Sequence, residues 1–481
     1  MLDLVVIGGG FAGLVAANRA AELGCSVALL EAQDGAYLCN SRIATGAMNF
    51  AHSDPQLPPE MLVRSIEADT ENHADPALAN AIAQVAGRGL QWLMDNGADF
   101  IRKDMQGKIS WVLAPPRVLA PGLDWKGKGS DLFLDELARR LEGRGGQFRR
   151  GVRARKLVIV EGRVAGVEAE TKEGPLRLDA RNVLIADGGF QASEDLVARH
   201  ICKSPEKLVQ RNAGAGFGDG IRMASEAGAR LRDMNRFYGH VQSRDALTND
   251  RLWPYPTMDS LSGGGIVIGA AGVRLFDEGS GGVTMANYIS ELDDPTSAWA
   301  LFDDEIWNTT GKDEVVPANP DYVEAGGTLL SAPSIAELAP RMGVPASALV
   351  ASVEVYNAAV TSGRETSLDP PRTPGRRFGV LRSADVRIPV CPIVKAPFYA
   401  IPLAAGISFT MGGLAIDVRG RVQREAGGLI DGLYAAGDSS AGLMGGPIAG
   451  YIGGLATAYC TALIAAESIA HESRDRTEKA S

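Results

Sequence analysis

Residues 4 to 31, LVVIGGGFAGLVAANRAAELGCSVALLE, set two short apolar runs on either side of an alanine-rich stretch with helical spacing, and the second run ends in an acid. Short apolar runs flanking a helical stretch predict buried parallel strands joined by a crossover helix. Later in the chain, LATAYCTALIAAE after Gly454 predicts a helix, and SIAELAPRMGVPASALVASVEVYNAAV predicts two short scaffold helices. DLFLDELARRLEGRGG carries apolar residues at helical spacing with basic residues opposite, the pattern of a solvated surface helix. A middle segment is richer in Trp, Tyr and Pro (LWPYPTMD, DDPTSAWALFDDEIWNTTG, DPPRTPGRRFG), and the tail HESRDRTEKAS is expected to be solvated and frayed. No internal repeat is present.

Composition narrows the function classes. The net charge of −10 over 481 residues, without clustered Lys and Arg, excludes an electrostatic nucleic-acid surface. The five cysteines are scattered with no CxxC, so no zinc, iron–sulfur or c-type haem motif is present and no metal is expected. No run of eighteen apolar residues predicts a membrane span. The chain opens on strand-like sequence rather than a leader pattern, so the expectation is a reduced, cytoplasmic protein.

Gly8, Gly10 and Gly13 form G-x-G-x-x-G directly after the first strand. That spacing serves a tight turn, close approach of a pyrophosphate to backbone, and packing of helix on strand. The helix N-terminus faces the phosphates, and Glu31, eighteen residues after Gly13, ends the second strand where it accepts ribose hydroxyls. Strand, glycines, helix and acid together predict a dinucleotide site.

Which dinucleotide follows from a resemblance. CNSRIATGAMNFA (Cys39–Ala51) resembles the GGNSxxAxGG segment of the fumarate reductase/succinate dehydrogenase flavoprotein superfamily, with Asn40, Ser41, Thr45 and Gly46 in matching positions. NVLIADGGF, GFGDGIRMASEAGARL, APFYA, TMGGL and GLYAAGD follow in the family's order. The resemblance implies α/β and α+β architecture: a Rossmann-like FAD-binding domain interrupted by a substrate-capping domain. The boundaries expected are 1–230 for the first part of the FAD domain, 231–395 for the cap, 396–472 for the return part and 473–481 for the tail. It implies FAD held by Gly8, Gly10, Ala12, Gly13, Glu31, Ala32, Asn40, Ser41, Thr45, Gly46, Ala154, Ala186, Gly188, Asp219, Gly437, Asp438, Gly454 and Leu455. Asp438 would hold a ribityl hydroxyl, Ala154 the adenine, and the Gly454 and Leu455 amides the flavin O2 edge. The covalent-flavin histidine of succinate dehydrogenases has no counterpart in NSRIATG, so FAD is expected to be noncovalent.

Departures from the family carry as much information. Phe409 stands at the usual dicarboxylate histidine, Ala449 at the second substrate arginine, and Gly281, Gly282 and Val283 where an acid-donating arginine is placed. Losing these cations argues against fumarate or succinate. The remaining relatives are ketone desaturases of the 3-ketosteroid Δ1-dehydrogenase type and the cyclohexanone and 4-oxocyclohexanecarboxylate dehydrogenases. Their steroid members bind the ketone with a tyrosine hydroxyl and a glycine amide. Ile448 and Ile452 occupy those positions here, with Tyr451 nearby.

The expected reaction is removal of the α-proton of a cyclic ketone by a base while the β-hydrogen leaves as hydride to flavin N5, with electrons passing to an external acceptor such as a quinone or oxygen. Candidate catalytic residues are Tyr451, Tyr238 and His240, with Tyr288 and Tyr399 weaker. Trp111, Phe409, Ile448 and Ile452 are expected to line the substrate pocket, and Arg42, Arg236, Arg244 or Arg274 to meet any substrate carboxylate. The competing readings are an ene reductase of the fumarate or urocanate type, a non-catalytic electron-transfer flavoprotein and, last, an amine oxidase.

Overall fold

The computed structural model describes residues 1–105, 108–376 and 387–480. β1 (Leu2–Ile7), α1 (Phe11–Glu22) and β2 (Val27–Glu31) form the expected unit, with β1 and β2 parallel from Leu4↔Val27 to Ile7↔Leu30. Unbroken apolar runs such as Leu4, Val5, Val6 and Ile7 suit this place because the strands are covered on both faces. On the far side of β1 the Gly174–Ile185 strand runs parallel, followed by Leu429–Ala435, while Gln147–Arg150 extends the sheet beyond β2. The chain therefore returns to this sheet after a long insertion between Ile185 and Arg421, as the family pattern implied.

The insertion builds a second sheet around one long strand, Phe398–Thr410. It pairs antiparallel with Phe237–Ser243, Trp299–Asp303 and Leu330–Ala332, and parallel with Val209–Gln210. Residues 398–410, counted above with the return part, are thus hydrogen-bonded to the inserted segment. Eleven of its thirteen residues are buried, so its apolar run needs cover on both faces, which the insertion supplies. The chain rejoins the first sheet at Arg421–Gln423 and Leu429–Ala435.

Gly129–Gly143 is the amphipathic surface helix, burying Phe133, Leu134, Leu137 and Leu141, and Ile335–Met342 and Ala346–Thr361 are the two short helices. The C-terminal helix spans Gly454–Ala480, so the tail expected to fray continues it. Adding residues such as Glu, Arg, Lys and Ala to an existing helix avoids the nucleation cost that an isolated tail would face. The C-terminal ends of β1 and β2, the start of this long helix and one end of the second sheet surround a single cavity, at the edge where open α/β sheets place their ligands.

Candidate active site

The cavity, about 1330 Å³, exceeds the roughly 300–1,000 Å³ usual for small-ligand pockets and has room for a dinucleotide with a second small molecule. One end is a cradle of backbone. Gly8 has φ +107° and a Cβ there would lie 2.4 Å from the Ala186 carbonyl oxygen, while a Cβ at Gly13 would lie 1.9 Å from the Gly8 oxygen. These two glycines hold strand and helix together. Gly10 instead faces the cavity with only Ser41 Oγ within 4 Å of an added Cβ, so its missing side chain leaves open space for a ligand. Gly10 gives α1 no side-chain cap; Ser41 Oγ accepts the Phe11 amide at 3.2 Å, and the remaining first-turn N–H groups are left for an anion. Glu31 takes the Gly9 amide at 3.0 Å and the Gln33 amide at 2.8 Å, which positions its carboxylate at the cavity wall, and burial raises its pKa.

The other end is aromatic and polar. Tyr238 and His240 lie two apart on the Phe237–Ser243 strand and so share a face, and a bulge between Tyr238 and Gly239 adjusts their aim. Gly239 is required at the bulge, since a Cβ would lie 1.9 Å from the Gly406 oxygen. The Tyr238 hydroxyl is 3.0 Å from His240 Nε2, and His240 Nδ1 is 2.6 Å from Asp259 Oδ2. Asp259 Oδ1 accepts the Val241 amide at 2.8 Å. A carboxylate can only accept, so His240 carries a proton on Nδ1, and in the neutral imidazole Nε2 is then the acceptor that faces the Tyr238 hydroxyl.

Tyr451 stacks on Tyr238 at 4.0 Å between ring centroids, and Phe409, opposite Tyr238 across the strand pair, lies 5.0 Å from it. The Tyr451 oxygen accepts the Gly454 amide at 3.1 Å, which leaves its own proton to be donated elsewhere. Burial raises Tyr238 well above the ordinary phenol range and pushes Tyr451 up to about 12. Glu314 also lines this end, holding the Ser260 amide and the Thr257 hydroxyl at 3.2 Å, and burial beside Asp259 pushes it up to about 7.

A glycine-lined helix end, an acid closing β2 and a sheet interrupted by a capping insertion coincide with a match of residues 3–450 to the FAD binding domain family. The chain belongs to that family. Fumarate reductase (cytochrome) of Shewanella frigidimarina is 27% identical over 92% of this chain and 73% of its own length. The 3-oxosteroid 1-dehydrogenase of Mycobacterium tuberculosis is 27% identical over 66% of this chain and 59% of its own length. The 3-ketosteroid delta1-dehydrogenase of Sterolibacterium denitrificans, solved with 1,4-androstadiene-3,17-dione, superposes with a TM-score of 0.74 at 19% identity, covering 98% of this chain and 99% of that one. The resemblance drawn from the motifs therefore holds, FAD is the cofactor, and the relatives divide between reductases and ketosteroid dehydrogenases.

Within this frame, Gly8, Gly10, Ala12, Glu31, Ala32, Asn40, Ser41, Thr45, Ala154, Ala186, Gly188, Asp219, Gly437, Asp438, Gly454 and Leu455 all line the cavity. Some have tasks the sequence did not suggest. Asn40 clips loops together, donating to the Ser408 oxygen at 2.9 Å and accepting the Ala213 amide at 3.0 Å, while Asp219 pairs with Arg153 at 2.7 Å. Gly13 and Gly46 serve packing rather than the cavity wall, for a Cβ at Gly46 would press on Leu113 and Ser130 at 3.0 Å.

Asp438 fits a ligand hydroxyl well. It faces the cavity, makes no side-chain hydrogen bond among the described residues, and burial pushes its carboxyl from 3.8 up to about 7. The folded, cofactor-free protein therefore keeps a proton that the unfolded chain releases, so this group makes stability fall as pH rises from about 4 to about 7. Thermal unfolding of cofactor-free Asp438→Asn should show a flatter pH dependence across that window than the unaltered protein; an unchanged slope counts against an isolated carboxylate.

Three expected pocket residues lie elsewhere. On the Lys108–Leu113 strand, Ser110 and Val112 face the cavity, so Trp111 faces away and donates to Asp54 at 2.9 Å. Ile452 is fully buried in the core, its carbonyl bound by the Ala51 amide, and Ile448 is held outside the wall where its carbonyl accepts the Thr284 hydroxyl. Of the weaker tyrosines, Tyr399 donates to Asp304 and Tyr288 packs on Phe276, neither at the cavity. Arg42, Arg236 and Arg274 are committed to Asp131 and Asp135, Glu291 and Glu278, and Arg244 lies on Trp299. Residues not foreseen at the cavity are Arg117, Asp187, Arg211, Tyr255 and Glu314, with Asp259 behind His240. LWPYPTMD contains two of them, but nothing in its spacing marks Asp259 as the partner of a histidine nineteen residues earlier.

Proposed function

We propose that this FAD-dependent oxidoreductase desaturates a cyclic ketone next to the carbonyl, and the observation that carries the reading is the Tyr238–His240–Asp259 chain ending at the cavity beside Tyr451. The ketone oxygen accepts the Tyr451 hydroxyl, whose proton is directed away from the Gly454 amide. Polarised in this way, the α-carbon becomes acidic. Tyr238 oxygen takes the α-proton as its own proton passes to His240 Nε2, and Asp259 stabilises the imidazolium that forms. Bound FAD supplies the acceptor for the β-hydrogen and its electron pair.

The resting chain favours this direction. His240 presents an acceptor nitrogen to Tyr238, so the relay is arranged to receive a proton. In the reductases that the sequence resembles, an arginine delivers one; here Gly281, Gly282 and Val283 stand in its place, and at Gly282 even a Cβ would lie 2.0 Å from the Asp259 carboxyl carbon. The activity of the mycobacterial relative, a 3-oxosteroid 1-dehydrogenase, supports ketone chemistry from a second side. Phe409 and Trp253 supply apolar wall for an alicyclic ring. Electrons then pass to an external acceptor.

Product analysis tests the direction. With an artificial electron acceptor, cyclohexanone or 4-oxocyclohexanecarboxylate should yield the α,β-unsaturated ketone in one-to-one ratio with reduced acceptor. Acceptor reduction without an enone product would refute the reading.

A further inference from the structure

Three arginines line the cavity, and only one is neutralised. Arg153 is paired with Asp219 at 2.7 Å. Arg211 donates from Nε to the Pro254 carbonyl at 3.1 Å and from Nη1 to the Ser408 hydroxyl at 2.9 Å, and its guanidinium lies 5.3 Å from the centre of the Tyr255 ring. Arg117 donates to the carbonyl oxygens of Asp124, at 2.8 Å, and Ile43. Every one of these partners is neutral. The Asp124 carboxylate is bound by Lys128 at 2.9 Å, and no ion pair to Arg117 or Arg211 exists among the described residues.

The arrangement is costly unless something completes it. Both guanidiniums are half-buried, and burial lowers the pKa of Arg117, with the Arg211 charge adding to this and Tyr255 and Asp124 opposing it. Partly desolvated charges of like sign are hydrogen-bonded here only to neutral groups, which orient them, and Asp124 acts on Arg117 without pairing with it. Elsewhere in the fold, Arg42, Arg236 and Arg274 have carboxylates. Arg144, Arg244 and Arg424 are also half-buried on neutral groups, but away from this cavity; of the three arginines that line it, Arg117 and Arg211 are the two without a carboxylate.

Their position separates them from the cofactor's diphosphate. The phosphate cradle is the Gly10 end of α1, whereas Arg211 is anchored on Ser408, the residue before Phe409, and its charge is felt by both Tyr238 and Tyr451. An anion bound by Arg211 therefore lies beside the proposed base.

We propose that the substrate is an oxo acid, a cyclic ketone bearing a carboxylate that Arg211 binds, with Arg117 adding charge from across Tyr255. The identity of the ketone part rests on the function proposed above; the anion subsite does not. A planar guanidinium fixed by two neutral acceptors retains N–H groups for a carboxylate and sets which ring carbon meets Tyr238. Neutral cyclic ketones and steroids lack the group that would satisfy these charges.

Calorimetric titration of the FAD-loaded protein with cyclohexanecarboxylate, which has no ketone to react, reads the subsite directly. Binding is expected for the unaltered protein and should weaken by at least about tenfold in Arg211→Gln, with Arg211→Lys intermediate. Flavin content, measured at the same time, should be equal in all three. No binding to the unaltered protein, equal affinity in Arg211→Gln, or loss of FAD from that variant would overturn the proposal. Binding of cyclohexanecarboxylate by a protein that oxidises no ketone would support the anion subsite and refute the desaturase reading.

Discussion

Replacing Tyr238 by phenylalanine should slow anaerobic reduction of the flavin by a ketone by about 10²–10⁴-fold, the range that loss of a positioned general base produces. Burial keeps this phenol protonated near neutral pH, so its capacity to take a proton depends on passing its own to His240, 3.0 Å away. Phenylalanine preserves the stack on Tyr451 and the contact with Phe409 but removes the oxygen that both proton transfers require. FAD content and substrate affinity should therefore stay close to those of the unaltered protein, and the loss should fall on kcat. Rapid-reaction absorbance at the flavin band measures it, and a loss confined to KM would assign Tyr238 to binding alone.

Asp259→Asn should have a comparable effect, again about 10²–10⁴-fold in kcat, from a residue that never touches substrate. The reason is geometric. Asp259 Oδ1 is held by the Val241 amide at 2.8 Å, so an asparagine must keep its oxygen there and turn its NH₂ group towards His240 Nδ1. The ring then carries its proton on Nε2, pointing at the Tyr238 oxygen, and the relay can no longer accept. Because the backbone hydrogen bond survives, the fold and FAD should be retained. A steady-state pH profile separates this from simple disruption: the relay account expects the loss at every pH where the unaltered protein is active, with unchanged flavin content. Activity within about threefold of the unaltered protein, far short of the loss of a general base, would remove Asp259 from the mechanism.

The cofactor end was legible in the sequence because its determinants are local. A glycine spacing, a strand, a helix and an acid within thirty-one residues leave little freedom, and the backbone groups that face the cavity are fixed by the turn itself. The substrate end depends on which way a strand faces and on which distant segments meet. Trp111 and its neighbours differ only by one step of a two-residue period, and no composition signal says which of them faces the cavity. Ile452 adjoins Tyr451 in sequence, yet one is core and the other wall.

The same limit applies to the charges. Arginines could be enumerated from sequence, but whether each already has a carboxylate is decided by tertiary contacts. Arg42 meets Asp131 and Asp135, residues far along the chain, while Arg211 meets only neutral groups. The long strand Phe398–Thr410 illustrates a further point about boundaries. Its APFYA start matches the family's return segment, yet its hydrogen bonds run to the inserted segment, so sequence order and sheet membership part company there.

The measurement that bears most directly on ketone desaturation is anaerobic titration of the oxidised, FAD-loaded protein with 4-oxocyclohexanecarboxylate, cyclohexanone, a 3-ketosteroid and succinate, following the flavin absorbance. Bleaching by 4-oxocyclohexanecarboxylate, weaker bleaching by cyclohexanone and none by succinate is the expected result. No bleaching by any ketone, together with reoxidation of the chemically reduced protein by an enoate, would contradict the account and identify a reductase.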